Sequence, residues 1–352
     1  MTATRLRLGL VGTGWVAGQH VAGARGVGAE TVEIVAACDP RRAVLDEFCE
    51  RNGIAHRFDT ADEMIASGVV DAIVLLTPPA VRWEVIGPAL ERGLHILVEK
   101  PFARSGPDAV MFAEAAHEAD VVMAVSQNFR WFPEYTWLKS RIERPDAGRP
   151  DFLEARTFQD RPQAPGVWRA DELKLEMAIF SVHLIDRLQW LAAAAPVSVR
   201  ALTRRRRGSA VAGEQFSTLL VEFEGGLVGT VTSSWTSRAL PSNTFRIDTE
   251  TGSVVVERTA PMSGTACATA QFAGESERIE FPETAQGEHA ALSYGSSARE
   301  FALAIAEGRE PVHSARDNLR TMGIMEAAYR SAARGGDAVS IEEVLYGHPG
   351  HA

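Results

Sequence analysis

The sequence predicts an α/β protein in two parts: a doubly wound parallel sheet first, then an α+β region on a mainly antiparallel sheet. Three observations carry this. The first third alternates short apolar runs with amphipathic stretches, the pattern of strand–helix–strand units. A glycine turn joins the first apolar run to the first amphipathic stretch. After about Ser126 the texture changes to alternating segments separated by turn signals. The parts are therefore expected at 1–125 and 126–352, and a chain of 352 residues is long enough for two cores.

Leu6 to Val11 reads as the first strand and Trp15 to about Arg25 as the helix after it. Val32 to Cys38 is a second strand. Pro40 to about Arg51 is a second helix, because proline's missing N–H has no partner at a helix start anyway. Thr60-Ala61-Asp62-Glu63 is a capping-box signal for a third helix. Ala72 to Leu76 is almost wholly apolar, as expected of a strand covered on both faces. His95 to Val98 and Val121 to Val125 are further strands, and Ser105 with Pro107 opens a helix to about Ala119.

In the second part the strand candidates are Asp151 to Phe158, Val197 to Leu202, Phe216 to Phe223, Leu227 to Ser234, Thr244 to Thr249 and Ser253 to Glu257. Gly225-Gly226 marks a tight hairpin and Thr251-Gly252 another turn. One long helix is expected over about Glu176 to Ala193, and two more near Ser296 to Glu307 and Ala315 to Ala333.

Composition excludes several classes of function. A formal net charge of −10 argues against a nucleic-acid partner. The basic run Arg204 to Arg207 lies between strand-like segments and reads as a solvated loop. No apolar run reaches the roughly 20 residues of a membrane helix. The short N-terminal one passes straight into the glycine turn, unlike a signal peptide. Cys38, Cys49 and Cys267 form no C-x-x-C pair, so no disulfide framework and no metal site is expected, and a reducing cytoplasm fits best.

Gly12-Thr13-Gly14-Trp15-Val16-Ala17 matches G-x-G-x-x-A between the first strand and the first helix. Gly12 permits the tight turn, Gly14 lets backbone approach a pyrophosphate, and Ala17 keeps helix and strand close. The helix N-terminus, with Trp15 and Val16, offers free N–H groups to the anion. Asp39 ends the second strand, where a carboxylate would bind ribose hydroxyls and repel a 2′-phosphate. This favours NAD. Arg41 and Arg42 follow at once and could reach a 2′-phosphate, so NADP stays open.

Further motifs follow in order: Thr77-Pro78-Pro79, Glu99-Lys100-Pro101, Gln127-Asn128-Phe129-Arg130, Trp168-Arg169, His183 with Asp186, Arg299-Glu300-Phe301, and Glu326-Ala327-Ala328-Tyr329-Arg330-Ser331. With the glycine turn and Asp39 they make the chain resemble the Gfo/Idh/MocA oxidoreductases over nearly its whole length. The resemblance implies a Rossmann domain followed by an α/β domain whose large open sheet commonly forms a dimer or tetramer interface. It implies cofactor contacts at Thr77, Pro78, Glu99, Lys100 and Asn128, and a small polyhydroxylated substrate, sugar-, sugar-acid- or cyclitol-like, near Lys100, Arg130, Trp168, Arg169 and His183. The residues agree on Lys100. A lysine at the carboxyl end of a parallel strand lies where such sheets bind ligands, and burial there lowers its proton affinity toward neutrality, which suits proton exchange with a hydroxyl.

The chain also departs from the pattern. The family commonly carries a glycine-rich segment, then Asp and His four residues apart. Here Leu173, Lys174 and Leu175 replace the glycines, Ile179 stands for the Asp, and Ser181 for the glycine before His183. Ile cannot hold a proton, leaving Lys100 and His183 as the catalytic candidates. Glu176, about two turns before His183, could supply a carboxylate, although a solvated first-turn glutamate is the favoured expectation. Arg82 replaces a family histidine and is expected at the surface, with an anion-binding role as the alternative. Two other readings stand beside the dehydrogenase: an enzyme that retains and recycles its NAD while acting on a glycoside, and a cofactor-binding protein that has lost hydride transfer.

Overall fold

The computed structural model describes residues 5–28, 30–163, 168–284 and 286–347. Six strands form one parallel sheet: β1 (Leu6–Val11), β2 (Val32–Cys38), β3 (His56–Phe58), β4 (Ala72–Leu75), β5 (His95–Glu99) and β6 (Met123–Ser126), in the order β3-β2-β1-β4-β5-β6. Order reverses between β1 and β4, so the turns leaving those two strands flank the position where such sheets bind ligands.

The helices are α1 (Trp15–Gly26), α2 (Arg42–Asn52), α3 (Ala61–Ala66), α4 (Trp83–Glu91) and α5 (Gly106–Glu118). Side chains alternate across β1 and show how the sheet is covered. Leu8 and Leu10 share a core cluster with Ala17, Val21 and Ala24 of α1. Gly9 faces the opposite side, where an added Cβ would lie 2.7 Å from the Met64 sulfur of α3. Two sequence signals appear as hydrogen bonds: Thr60 Oγ1 accepts from the Glu63 N–H and Ser105 Oγ from the Asp108 N–H, both at 3.2 Å.

The second sheet has nine strands. They are β7 (Pro150–Phe158), β8 (Pro196–Arg204), β9 (Phe216–Phe223), β10 (Val228–Ser234), β11 (Ser242–Thr249), β12 (Gly252–Arg258), β13 (Gly264–Phe272), β14 (Glu275–Thr284) and β15 (Val339–Ser340). Their order is β14-β13-β12-β11-β7-β10-β9-β8-β15, antiparallel except where β7 meets β10. Gly225 and Gly226 have φ of +76° and +84°, as the β9–β10 hairpin requires. One face is apolar (Leu153, Ala155, Leu219, Val231, Phe245 and Val256 are all buried) and is packed by α6 (Pro133–Ile142) and α7 (Val182–Ala192). The alternate positions of the central strands, such as Arg156, Thr218, Thr230 and Thr244, are half-exposed.

Compactness divides the chain into Met1–Trp131 with Gln286–Leu319, and Phe132–Ala285 with Arg320–Ala352. The sequence expectation placed everything after 125 in one part. By compactness, α8 (Gln286–Glu307) and the start of α9 (Ala315–Ala333) group with the parallel sheet, and α10 (Ile341–Tyr346) with the second. The reason is visible where α1 meets α8: a Cβ on Gly23 would sit 2.5 Å from the Gly295 nitrogen, so glycines let the two backbones touch. The sequence gives no expectation for α4, α6, α10, β3, β13, β14 and β15. Among the described residues no helix is long and apolar enough to cross a membrane.

Candidate active site

The glycine turn leaves β1 with Gly12 at φ +103°, a left-handed conformation that favours glycine. Gly14 starts α1, and nothing lies within 4 Å of where its Cβ would be. It offers no side-chain cap, so the first N–H groups of α1 stay open to an anion. Trp15 stands exposed beside them and Ala17 is fully buried.

Asp39 is buried at the end of β2. One oxygen accepts from the Thr13 N–H (3.1 Å) and hydroxyl (2.9 Å), and the other from the Arg41 N–H (3.0 Å). The Arg41 guanidinium forks onto both oxygens at 2.9 Å. Burial opposes the charge, yet the Arg41 pair and these N–H donors hold the carboxyl well below its usual range.

Lys100 follows β5 directly, half-buried, and its backbone is held from both sides. Before it, the buried Glu99 carboxylate accepts from the Lys100 N–H at 3.2 Å and meets His20 Nε2 of α1 at 2.9 Å. After it, Arg82 donates to the Phe102 carbonyl at 2.8 Å, to the Pro101 carbonyl, and through Nε to the Thr77 carbonyl at 3.1 Å. The expected surface position of Arg82 is thus wrong. The side chain is 2% exposed, and burial pushes its pKa down to about 10, with the Glu99 charge opposing. It ties the turn after β4 to the turn after β5, because three carbonyls there have no strand partner to satisfy them.

A fit to the cofactor shows in polar atoms that the protein leaves unmet. Thr77 Oγ1, Asn128 Oδ1 and both amide atoms of Gln127 are buried and have no hydrogen-bond partner among the described residues. All follow β4 or β6 at their carboxyl ends, and Pro78 adjoins Thr77. A dinucleotide laid from the glycine turn across this edge suits these atoms. Gln127 was not singled out by the sequence reading; only its place in the Gln127-Asn128-Phe129-Arg130 motif hinted at it. Asn128 Nδ2 already donates to Ser293 at 3.1 Å. Arg130 is the expected substrate neighbour on the same turn. It is wholly buried and donates to the Val312 carbonyl (2.7 Å) and to Asp317 (2.6 Å), which ties the 128–131 turn to the start of α9.

In the second unit, the long helix expected over Glu176 to Ala193 begins as a π-helical turn, Met177–Ser181, and runs into α7. Ile179 lies inside that turn. His183 is 5% exposed, edge-on to Phe180, and its carbonyl accepts from Arg187 at 3.1 Å. Asp186 accepts from Thr321 at 3.1 Å. Glu176 is not solvated: it is wholly buried and accepts from the hydroxyls of Ser181 (2.6 Å), Ser233 (2.6 Å) and Ser217 (2.7 Å). Burial pushes its carboxyl up to about 7 against the three hydroxyls that lower it. Ser217 and Ser233 oppose each other in the β9–β10 ladder on the inward parity of Leu219 and Val231, a signal the sequence did hold. Glu214 was missed entirely; it accepts from the Leu175 and Met177 N–H groups and from Tyr329. Trp168 and Arg169 lie in a short 3₁₀ turn, Trp168–Asp171, and their side chains fall outside the described residues.

A parallel sheet with an open glycine turn at its switch point, an adjoining buried carboxylate and unmet polar atoms along the same edge defines a dinucleotide-binding protein. Residues 6–127 match the model of an oxidoreductase family with an NAD-binding Rossmann fold, and residues 135–255 match the C-terminal domain model of the same family. The chain belongs to the Gfo/Idh/MocA family of oxidoreductases. It is 26% identical to D-apiose dehydrogenase of Paraburkholderia graminis, over 95% of this chain and 89% of that one. It is 30% identical to the rhizopine catabolism protein MocA of Rhizobium meliloti, over 65% and 71%. An oxidoreductase from Agrobacterium radiobacter, solved with NAD⁺, L-tartaric acid and magnesium, shares the fold at a TM-score of 0.87 and 22% identity, covering 97% of this chain and 99% of that one.

Proposed function

We propose that this NAD-binding oxidoreductase interconverts an alcohol and a carbonyl on a small polyhydroxylated substrate, sugar-, sugar-acid- or cyclitol-like, with Lys100 as the proton-exchanging group. Bound NAD supplies the hydride acceptor. Lys100 Nζ takes the hydroxyl proton as the carbinol carbon is oxidised, and returns it in the reverse direction. His183 is the second polar contact to the substrate. Gly12, Gly14 and the α1 N-terminus hold the pyrophosphate, Asp39 the ribose, and Thr77, Gln127 and Asn128 the nicotinamide end.

The observation that carries this reading is the clamp on Lys100. Its N–H is fixed by Glu99 and the next two carbonyls by Arg82, at the carboxyl edge that also bears the glycine turn. A fixed base meets the demand for a defined approach to one hydroxyl. The names of relatives such as D-apiose dehydrogenase support the substrate class. The preference is for NAD over NADP, since the Asp39 carboxylate is ionised and buried. Met1–Trp131 with Gln286–Leu319 serves as the cofactor part, and Phe132–Ala285 with Arg320–Ala352 as the substrate part. The half-exposed face of the second sheet suits assembly of copies into a dimer or tetramer. Three free cysteines suit a reducing cytoplasm.

The test is Lys100→Ala, assayed with a panel of sugars, sugar acids and inositols by NADH absorbance. Turnover should fall by roughly 10²–10⁴-fold, with the Kd for NADH within a factor of about three of wild type. Wild-type turnover in the variant sinks the assignment.

A further inference from the structure

We propose that Glu176, through Ser181, Ser217 and Ser233, is a positioning residue that holds the start of the His183 helix in its π-turn and so sets where the imidazole stands. The inference rests on the reading of His183 given above. It answers what stands in for the carboxylate that the chain lacks at Ile179: a buried carboxylate that orients the histidine's helix rather than the substrate.

Glu176 and Ser181 are five residues apart. On a regular helix, at about 100° per residue, they would lie roughly 140° apart and could not meet. In a turn closed i→i+5 they come to the same side. Their 2.6 Å hydrogen bond is therefore a clasp specific to the π-turn. The clasp is also anchored. The same oxygen accepts from Ser233, and the other oxygen accepts from Ser217. Those serines face each other on β10 and β9, so the clasp is fastened to the sheet itself. The first turn is held at its other backbone groups as well. Glu214 accepts from the Leu175 and Met177 N–H groups, and the Tyr329 hydroxyl accepts from the Ala178 N–H at 3.2 Å.

The consequence falls on His183, the second residue of α7. A π-turn inserts one residue relative to a continuous α-helix, which rotates everything after it by about 100°. His183 and Asp186 therefore owe their faces to the turn. Glu176 is enclosed on all sides and touches no open surface, so it acts through the helix.

The test crosses Ser181→Ala, Glu176→Ala and Glu176→Gln with His183→Ala, reading kcat, KM and the Kd for NADH. Ser181→Ala and Glu176→Ala should each lower kcat/KM roughly tenfold in the wild-type background and less than about twofold when His183 is already alanine. Glu176→Gln, which keeps the size and can still bond three hydroxyls, should stay within about threefold of wild type. NADH affinity should not move. Equal losses in both backgrounds overturn the proposal, because the cluster would then act on the fold at large. If His183→Ala alone turns over like wild type, the role of His183 in the reaction falls. The positioning claim is then decided by the crystal structure of Ser181→Ala, the mildest change. A helix relaxed to regular α-form with His183 rotated upholds it, and an unchanged π-turn overturns it.

Discussion

The carboxyl edge of the parallel sheet and the start of the His183 helix handle buried polarity in opposite ways. At the sheet edge, Thr77, Gln127 and Asn128 keep buried atoms without partners among the described residues, and the α1 N-terminus has no side-chain cap. At the helix start, Glu176 and Glu214 between them take up three serine hydroxyls, two backbone N–H groups and a tyrosine. An unmet buried group costs about 1–3 kcal/mol. A cluster that satisfies itself gains rigidity. The first region is built to be completed from outside and the second to hold still. Arg82 belongs to the rigid kind although it sits in the ligand-binding region. It saturates the carbonyls that frame Lys100.

This contrast can be broken by substitution. Arg82→Met strands three carbonyls and should destabilise the parallel-sheet unit by about 4 kcal/mol while cutting turnover, measured by urea unfolding and initial rates. A variant as stable as the parent would mean that the carbonyls find other donors.

Glu176→Gln probes the saturated cluster through pH. The carboxyl pKa is raised from its ordinary 4.5 to about 7 in the fold. Its contribution is therefore complete below about pH 4.5 and lost as pH rises through 7. The stability of the parent minus that of the variant should fall by on the order of 3 kcal/mol between pH 4.5 and pH 8. A difference that stays flat across that window would refute the buried, proton-holding carboxyl.

Gly23→Ala places a Cβ 2.5 Å from the Gly295 backbone nitrogen. The α1–α8 contact should open at a cost of about 2 kcal/mol, seen in the denaturation midpoint. Because α1 also carries the glycine turn, NADH binding should weaken with it. The smallest effect is expected at Asp39. NADH should bind more tightly than NADPH, and Asp39→Ser should narrow the gap by roughly tenfold, about 1.4 kcal/mol. Titration showing tighter NADPH binding in the parent would reverse the role of Asp39 and give Arg41 the deciding part.

Much of the first unit was legible in the chain. The strand from Leu6, the glycine turn, Asp39 and Lys100 are all readable because each depends on neighbours close in sequence: a strand, a turn and the helix it opens. The capping signals at Thr60 and Ser105 were readable for the same reason. Glu176 and Arg82 were misjudged as solvated, since glutamate and arginine usually are. Their burial depends on partners far away in sequence: Ser217 and Ser233 for one, the carbonyls of Pro101 and Phe102 for the other. The burial of Arg130 likewise depends on a distant partner, Asp317, near the other end of the chain.

By itself the sequence determined the two-part α/β class, the dinucleotide turn and the lysine at a strand end. Hydrophobic period and glycine placement act locally, and local rules are written residue by residue. Only the tertiary structure decided that α8 joins the parallel-sheet unit, that Arg82 clamps the turn around Lys100, and that the His183 helix begins with a π-turn. Each of those is fixed by partners that meet only in the fold: Gly23 with Gly295, Arg82 with the Pro101 and Phe102 carbonyls, and Glu176 with Ser217 and Ser233.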